Sequence, residues 1–341
     1  MDPSHITRAG IVLPVRVDST GVDGPKYREI ATSRWRACGG GWHVPSSVEP
    51  TREQRIVEAA CAMPTTGAVT GWAGLAWGGG RYFPGVTGGG RLLDVPVALD
   101  NRRRIRPRPG VELCEEFLKG EDIEVLDGLP ITRHERSVCR LLRTTANLEE
   151  RVRVLDMAAF DDLCSPQEVL DYAVLRLAGR PHVSRIWQAV PLADENAWSP
   201  AEVALRMEWR AQVSWAGLVT NAPLFDLAGN HLATPDLIDP RAGVVGEYNG
   251  AEHDEEGRAV RDLDREERYR DHGLEPVVMI GMTRRSRAGF AARLRSAYER
   301  AARRRTPATW TLEHPDWWVD TSRVQLRRAL TDAQRSVWLK R

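Results

Sequence analysis

At 341 residues, 42% of them apolar, the chain is long enough for two domains, each with a core of its own. Lys+Arg 48 against Asp+Glu 47 leaves a net charge of +1, which argues neither for nor against a polyanionic partner. No N-terminal run reads as a signal peptide, nothing approaches a membrane span, and the five scattered cysteines contain no CxxC pair, so the expectation is a cytoplasmic protein with reduced thiols and neither zinc knuckle nor disulfide framework.

Residues 1–27 are turn-rich, with β-like runs at 11–13 and 15–17. Trp35 and Trp42 then flank a Gly39-Gly40-Gly41 turn. It reads as a surface hairpin or, more sharply, as the wing of a DNA-binding module, although no clear recognition helix precedes it. Residues 51–63 make an amphipathic helix, with Ile56, Val57, Ala60 and Cys61 on one side and Arg52, Glu53, Arg55 and Glu58 on the other. A second helix, 69–77, is rich in small residues and ends in Gly78-Gly79-Gly80. Short β-like runs at 93–97, 111–114 and 123–126 follow, and 101–106 is a basic loop, read first as a solvated turn and second as a phosphate contact. Helical spacing returns at 137–143, 148–160 and 166–177, the last with Ser165 as its cap and Pro166 at its first position. A short helix at 184–190 leads to a break at 194–199, so the expected domains are 1–196 and 197–320, with a tail at 321–341.

The second domain opens with Ser199-Pro200-Ala201-Glu202, a capping box on a helix expected to run to about 216. The period then switches to two, and 224–227, 231–238 and 244–248 read as three antiparallel strands. A highly charged helix at 257–272, a buried strand at 276–280 and a basic helix at 287–305 complete the order α-β-β-β-α-β-α. Within it, Asp236 and Glu247 adjoin the apolar runs Leu237-Ile238 and Val244-Val245, where an ordinary core strand would hold no acid. On neighbouring strands of a hairpin these carboxylates can converge, the geometry that a hard divalent cation needs from oxygen ligands.

This order, with Pro235-Asp236, ten intervening residues and Glu247-Tyr248-Asn249, resembles the PD-(D/E)XK nuclease superfamily, in particular its very-short-patch-repair-like branch. Within that branch it is similar to actinobacterial proteins that join such a domain to an N-terminal AbiEi-type antitoxin or winged-helix region. The resemblance is carried by Ser199 to Glu202 with Arg206, by Pro235 to Asp239, by Val245 to His253, and by Asp262, Arg265, Glu266, Arg270 and Gly273-Leu274. Gly71-Trp72-Ala73-Gly74-Leu75 and Gly128 to Thr132 with Arg136 match the N-terminal partner.

The resemblance implies an α+β protein, with a mixed winged-helix-like and helical N-terminal region before a restriction-endonuclease-like α-β-β-β-α-β domain. It further implies a Mg²⁺-dependent DNA endonuclease, with Mn²⁺ as a substitute, in a defence or toxin-antitoxin setting. Asp236, Glu247 and the Tyr248 carbonyl would hold the ion, which lowers the pKa of a bound water and stabilises charge on the scissile phosphate. Glu202 would orient a water or assist a second metal. Where the family usually carries lysine, and this branch often an acid, the chain has Asn249, which cannot carry positive charge. His253 is the best candidate for general base or acid. Arg206, Arg261, Arg265, Arg268 and Arg293 are candidate DNA contacts, in a chain whose lysines are confined to Lys26, Lys119 and Lys340.

Each choice has a plainer counterpart. Glu202 equally completes the capping box, Asp236 and Asp239 bracket a turn, and Asn249-Gly250 is a turn signal. His253 in an acidic loop reads as a solvated histidine, and Asp262, Arg265 and Glu266 fall at spacings that suit internal ion pairs. Trp310, Trp317 and Trp318 read as an aromatic clamp folding the tail back, with base stacking second. The rival function is a catalytically inactive AbiEi-like antitoxin or transcriptional repressor with a cognate toxin, and a third is a protein-binding immunity factor.

Overall fold

The structure, a computed structural model, describes residues 1–100, 106–215, 217–249, 256–281 and 283–339, and the side chains of 256–263 lie outside that description. The turn-rich start holds strand β1 (Val15–Arg16) and a single helical turn, α1 (Tyr27–Ile30). The expected hairpin forms between β2 (Trp35–Gly39) and β3 (Trp42–Pro45), and β1 pairs with β3 to give a three-stranded antiparallel sheet. Gly39, Gly40 and Gly41 all have positive φ, the conformation for which glycine carries no steric cost. Helix α2 (Arg52–Ala60) is capped by Thr51, whose Oγ accepts from the Gln54 N–H, and it buries Ile56 and Val57 as its period requires.

The second expected helix begins late: Ala68–Val69 is strand β4, and α3 (Gly71–Trp77) follows it. With β5 (Val95–Ala98), β6 (Val111–Cys114), β7 (Ile123–Leu126) and β8 (Leu129–Thr132), β4 forms a mixed sheet ordered β6-β5-β4-β8-β7. Most of the basic loop, 101–105, lies outside the described residues. Helices α4 (His134–Thr144), α5 (Leu148–Phe160), α6 (Pro166–Arg176) and α7 (Ser184–Ala189) complete this half of the sequence. Arg136 on α4 donates to Asp122 Oδ2 at 3.1 Å and to the Tyr172 hydroxyl at 3.0 Å, tying α4 and α6 to the sheet.

The chain forms two compact units, Met1–Ala146 with Gln167–Val190, and Asn147–Pro166 with Pro191–Arg341. The break expected at 196/197 therefore falls near 190/191, and α5 belongs to the second unit. Two ion pairs tie α5 to that unit: Asp156 on α5 holds Arg206, and Glu149 holds Arg287 at 2.6 Å. The tail is likewise part of this unit, because Arg327 is fully buried and donates to Asp162 Oδ1 at 2.6 Å.

The second unit continues with α8 (Pro200–Gln212), β9 (Val219–Thr220), β10 (Leu224–Asp226), β11 (His231–Ala233), β12 (Leu237–Asp239), β13 (Val244–Asn249), α9 (Glu256–Asp271), β14 (Glu275–Ile280), α10 (Arg284–Arg303), β15 (Trp310–Thr311), α11 (Val324–Arg328) and α12 (Asp332–Trp338). The single strand expected at 231–238 is two strands in different sheets, divided at Thr234-Pro235, where proline has no N–H for a ladder. One sheet is ordered β14-β13-β12-β9, antiparallel except for the β13–β14 pair, which α9 connects in parallel; the other is β11-β10-β15. Trp310 pairs opposite Asp226, and Trp318 packs edge-on against Phe225 at 5.2 Å, so the aromatic clamp forms as expected.

Alternation along β12 and β13 divides the core into two faces. Leu237 and Val244 pack with Leu205 and Trp209 of α8 and Phe290 and Leu294 of α10, while Ile238 and Val245 pack with Leu224, Tyr269 and Leu274. Asp239 is fully buried as a turn former: Oδ1 accepts from Arg241 N–H at 3.1 Å and Oδ2 from the Tyr298 hydroxyl at 2.7 Å. A Cβ on Gly246 would stand 2.4 Å from the Trp209 ring. Gly246→Ala is therefore expected to cost about 1–3 kcal/mol, read as a lower urea midpoint. An unchanged midpoint would mean that the ring yields freely. Among the described residues no helix is long and apolar enough to cross a membrane, and all five cysteines are free and buried.

Candidate active site

The site begins with strand register. Leu237 lies opposite Gly246, Ile238 opposite Val245 and Asp239 opposite Val244, so one further step brings Asp236 opposite Glu247. Alternation then puts both acids on the face of Ile238, Val245 and Tyr269. Glu247 Oε1 accepts from the Tyr269 hydroxyl at 2.6 Å and Oε2 from Arg265 Nη1 at 3.2 Å, both groups coming from α9. Asp236 Oδ2 accepts from the Tyr248 N–H at 2.7 Å. A strand residue directs its N–H and C=O to the same neighbour, so the Tyr248 carbonyl leaves β13 on the Asp236 side.

Glu202 stands in the first turn of α8, with 7% of its surface exposed. Its N–H donates to Ser199 Oγ at 3.2 Å, which is the expected cap. The other half of the capping box does not close on Ser199. Glu202 Oε2 instead accepts from the Trp198 N–H at 2.7 Å and from Asn221 Nδ2 at 2.6 Å, which ties the carboxylate to the end of β9.

Burial is the largest force on Asp236 and Glu202. Together with the neighbouring Glu247 and Glu202 it pushes the Asp236 carboxyl up to about 8, against the pull of the Tyr248 N–H and Arg265. Burial also raises Glu202, opposed by its hydrogen bonds from Trp198, Asn221 and Ser199. The Tyr269 hydroxyl is raised by burial and by Glu247, so it stays a donor.

Among the described residues no three His, Cys, Asp or Glu side chains are grouped as a metal-holding set. Asp236 and Glu247 supply two carboxylates, with the Tyr248 carbonyl on the same side. That donor set fits Mg²⁺, which keeps several waters and takes one or two carboxylates, better than it fits an ion that needs a full protein cage.

The other expected residues are dispersed. Asn249 follows Glu247 by two positions on the same face of β13 and is half-buried. His253 and the side chain of Arg261 lie outside the described residues. Arg268 is exposed and donates to the Leu232 carbonyl at 3.4 Å. Arg293 is exposed on α10, whose buried side covers the opposite face of the sheet from the acids, and its Nε donates to the Val278 carbonyl at 3.0 Å. Arg206 needs correction as a DNA contact. It is 1% exposed, its guanidinium joined to Asp156 and, at 3.1 Å, to the Leu192 carbonyl, so it cannot reach a phosphate.

Three members escaped sequence reading: Tyr269, Asn196 and Asn221. Tyr269 lies four residues after Arg265, a spacing that puts both on one side of α9. Asn196 donates through Nδ2 to the Thr220 carbonyl at 2.8 Å, and its Oδ1 accepts from the Trp198 indole at 3.1 Å. Asn221 has φ of +46° and follows a two-residue strand, and asparagine's tolerance of left-handed backbone was the one available signal. Comparison of the chain with protein-family models, with curated proteins and with solved structures gives no match.

Proposed function

We propose that the second unit is a Mg²⁺-dependent DNA endonuclease domain of the PD-(D/E)XK kind, and that the first unit, AbiEi-like with a winged-helix-like start, contributes DNA binding. One observation carries this reading: Asp236 and Glu247 face each other across β12 and β13, with Glu202 joined to the Asp236 backbone through Asn221. A partly buried surplus of carboxylates is costly without a cation.

A bound Mg²⁺ would supply a more acidic water and charge stabilisation at the phosphate. Hydrolysis joins a water oxygen to phosphorus and breaks the bond to the leaving sugar oxygen, with one proton lost by the water and one gained by the leaving group. Glu202, lifted by burial, suits the first proton transfer, and His253 is the candidate donor for the second. Arg265 brings to the acid pair the positive charge that Asn249 lacks. Its side chain is half-exposed, so it can turn from Glu247 to a phosphate oxygen. Arg265→Ala is expected to lower kcat roughly 10²-fold while leaving Mg²⁺ affinity unchanged or tighter, and Arg265→Lys to retain part of the rate. Equal rates for all three proteins would remove Arg265 from the chemistry.

The contacts from Tyr269 and Arg265 also favour the second reading, an inactive antitoxin or repressor, because they satisfy Glu247 without any cation. Incubation with supercoiled plasmid and single-stranded DNA under Mg²⁺ or Mn²⁺, beside Asp236→Ala and Glu247→Ala, separates the two. Cleavage lost in both variants is the expected result, and cleavage that survives either one sinks the site. Salt-dependent DNA binding without cleavage, indifferent to both substitutions, would select the repressor and the search for a cognate toxin.

A further inference from the structure

Asn221 stands between the cap of α8 and the acid pair, and its hydrogen bonds are complete except at one atom. Its N–H donates to the Asp236 carbonyl at 3.0 Å, and its own carbonyl accepts from Asn196 Nδ2 at 3.2 Å. Its Nδ2 donates to Glu202 Oε2 and to the Asn196 carbonyl, each at 2.6 Å. The residue is 2% exposed, yet Oδ1 has no partner among the described residues. The amide cannot be turned over to cure this, because Oδ1 would then face a carboxylate and a carbonyl, both acceptors.

We propose that Asn221 belongs to the cation site, its nitrogen fixing Glu202 and its Oδ1 taking a hydrated divalent cation held at Asp236 and Glu247. The inference rests on the reading of those acids as a cation site and extends it by a neutral oxygen. An amide oxygen adds a ligand without adding to the repulsion among Glu202, Asp236 and Glu247, and hard cations accept such carbonyls readily. An unpaired buried acceptor costs free energy in the empty site and is satisfied when the site fills.

Two substitutions separate this role from a structural one. Asn221→Gly keeps the left-handed backbone without strain and removes the amide, whereas Asn221→Asp keeps the shape and sets a second carboxylate against Glu202. The full chain is titrated with Mn²⁺ by calorimetry, without DNA. Asn221→Gly is expected to weaken binding about 10–100-fold, and Asn221→Asp to bind more tightly than the wild type while melting lower in chelator. Wild-type affinity in Asn221→Gly overturns the proposal, and should that variant not fold, affinity in Asn221→Asp no tighter than wild type does so. A wild type that binds no Mn²⁺, or binding that Asp236→Ala leaves intact, overturns the reading of the acid pair itself.

Discussion

Replacing Asp236 with asparagine is expected to lower DNA cleavage roughly 10³-fold and, in the absence of cation, to stabilise the protein at pH 8 more than at pH 5. Both effects follow from the same carboxyl. Burial, Glu247 and Glu202 hold Asp236 at about 8, against 3.8 for an unhindered aspartate. Between those values the folded protein keeps a proton that the unfolded chain has released, so stability falls as pH rises through that window. Below it both states are protonated and the residue contributes nothing. Asparagine cannot ionise, so the variant lacks this fall while keeping an oxygen for the Tyr248 N–H. Thermal unfolding in chelator at the two pH values checks it. A difference between wild type and variant that does not change with pH would place the raised carboxyl elsewhere.

The second large effect concerns stability alone. Arg206→Met is expected to cost about 3–5 kcal/mol, the usual loss when one partner of a buried ion pair is removed. Arg206 and Asp156 are 1% and 0% exposed, and Asp156 Oδ1 also accepts from the Asp194 N–H at 2.8 Å. Burial pushes the Asp156 carboxyl up to about 7 while the guanidinium opposes it, so removal of Arg206 favours a neutral acid in an apolar gap. Arg206→Met combined with Asp156→Leu should recover most of the loss, since neither charge then remains. Urea unfolding measures both. In a DNA-binding assay the proposed function predicts the same salt dependence for both variants as for the wild type, because Arg206 is buried. A single-variant loss below about 1 kcal/mol would contradict the buried pair.

Sequence patterns revealed the elements with strong periodicity and missed what depends on distant partners. The helices at α2, α5 and α10 were legible because one face is apolar at helical spacing, and the β12–β13 hairpin because apolar pairs flank a proline-glycine turn. Strand β8 was missed, although Asp127-Gly128, at φ of 48° and 77°, is a strong hairpin signal; Pro130 within the run concealed it. Asp236 and Glu247 stood out because an acid beside a core strand needs a reason, and the register brings them face to face. Only asparagine's tolerance of left-handed backbone marks Asn221 locally, since its partners Asn196, Glu202 and Asp236 come from three other segments. Arg206 misled for the same reason in reverse: an arginine one turn after Glu202 looks available until α5 is seen to bury it.

The proposed function stands on a divalent cation held by Asp236 and Glu247. Anomalous diffraction from crystals grown with Mn²⁺ tests it most directly. A peak between the two carboxylates, on the side of the Tyr248 carbonyl, is the expected result. A saturating Mn²⁺ soak with no peak there, or with peaks only at other acids, would contradict it.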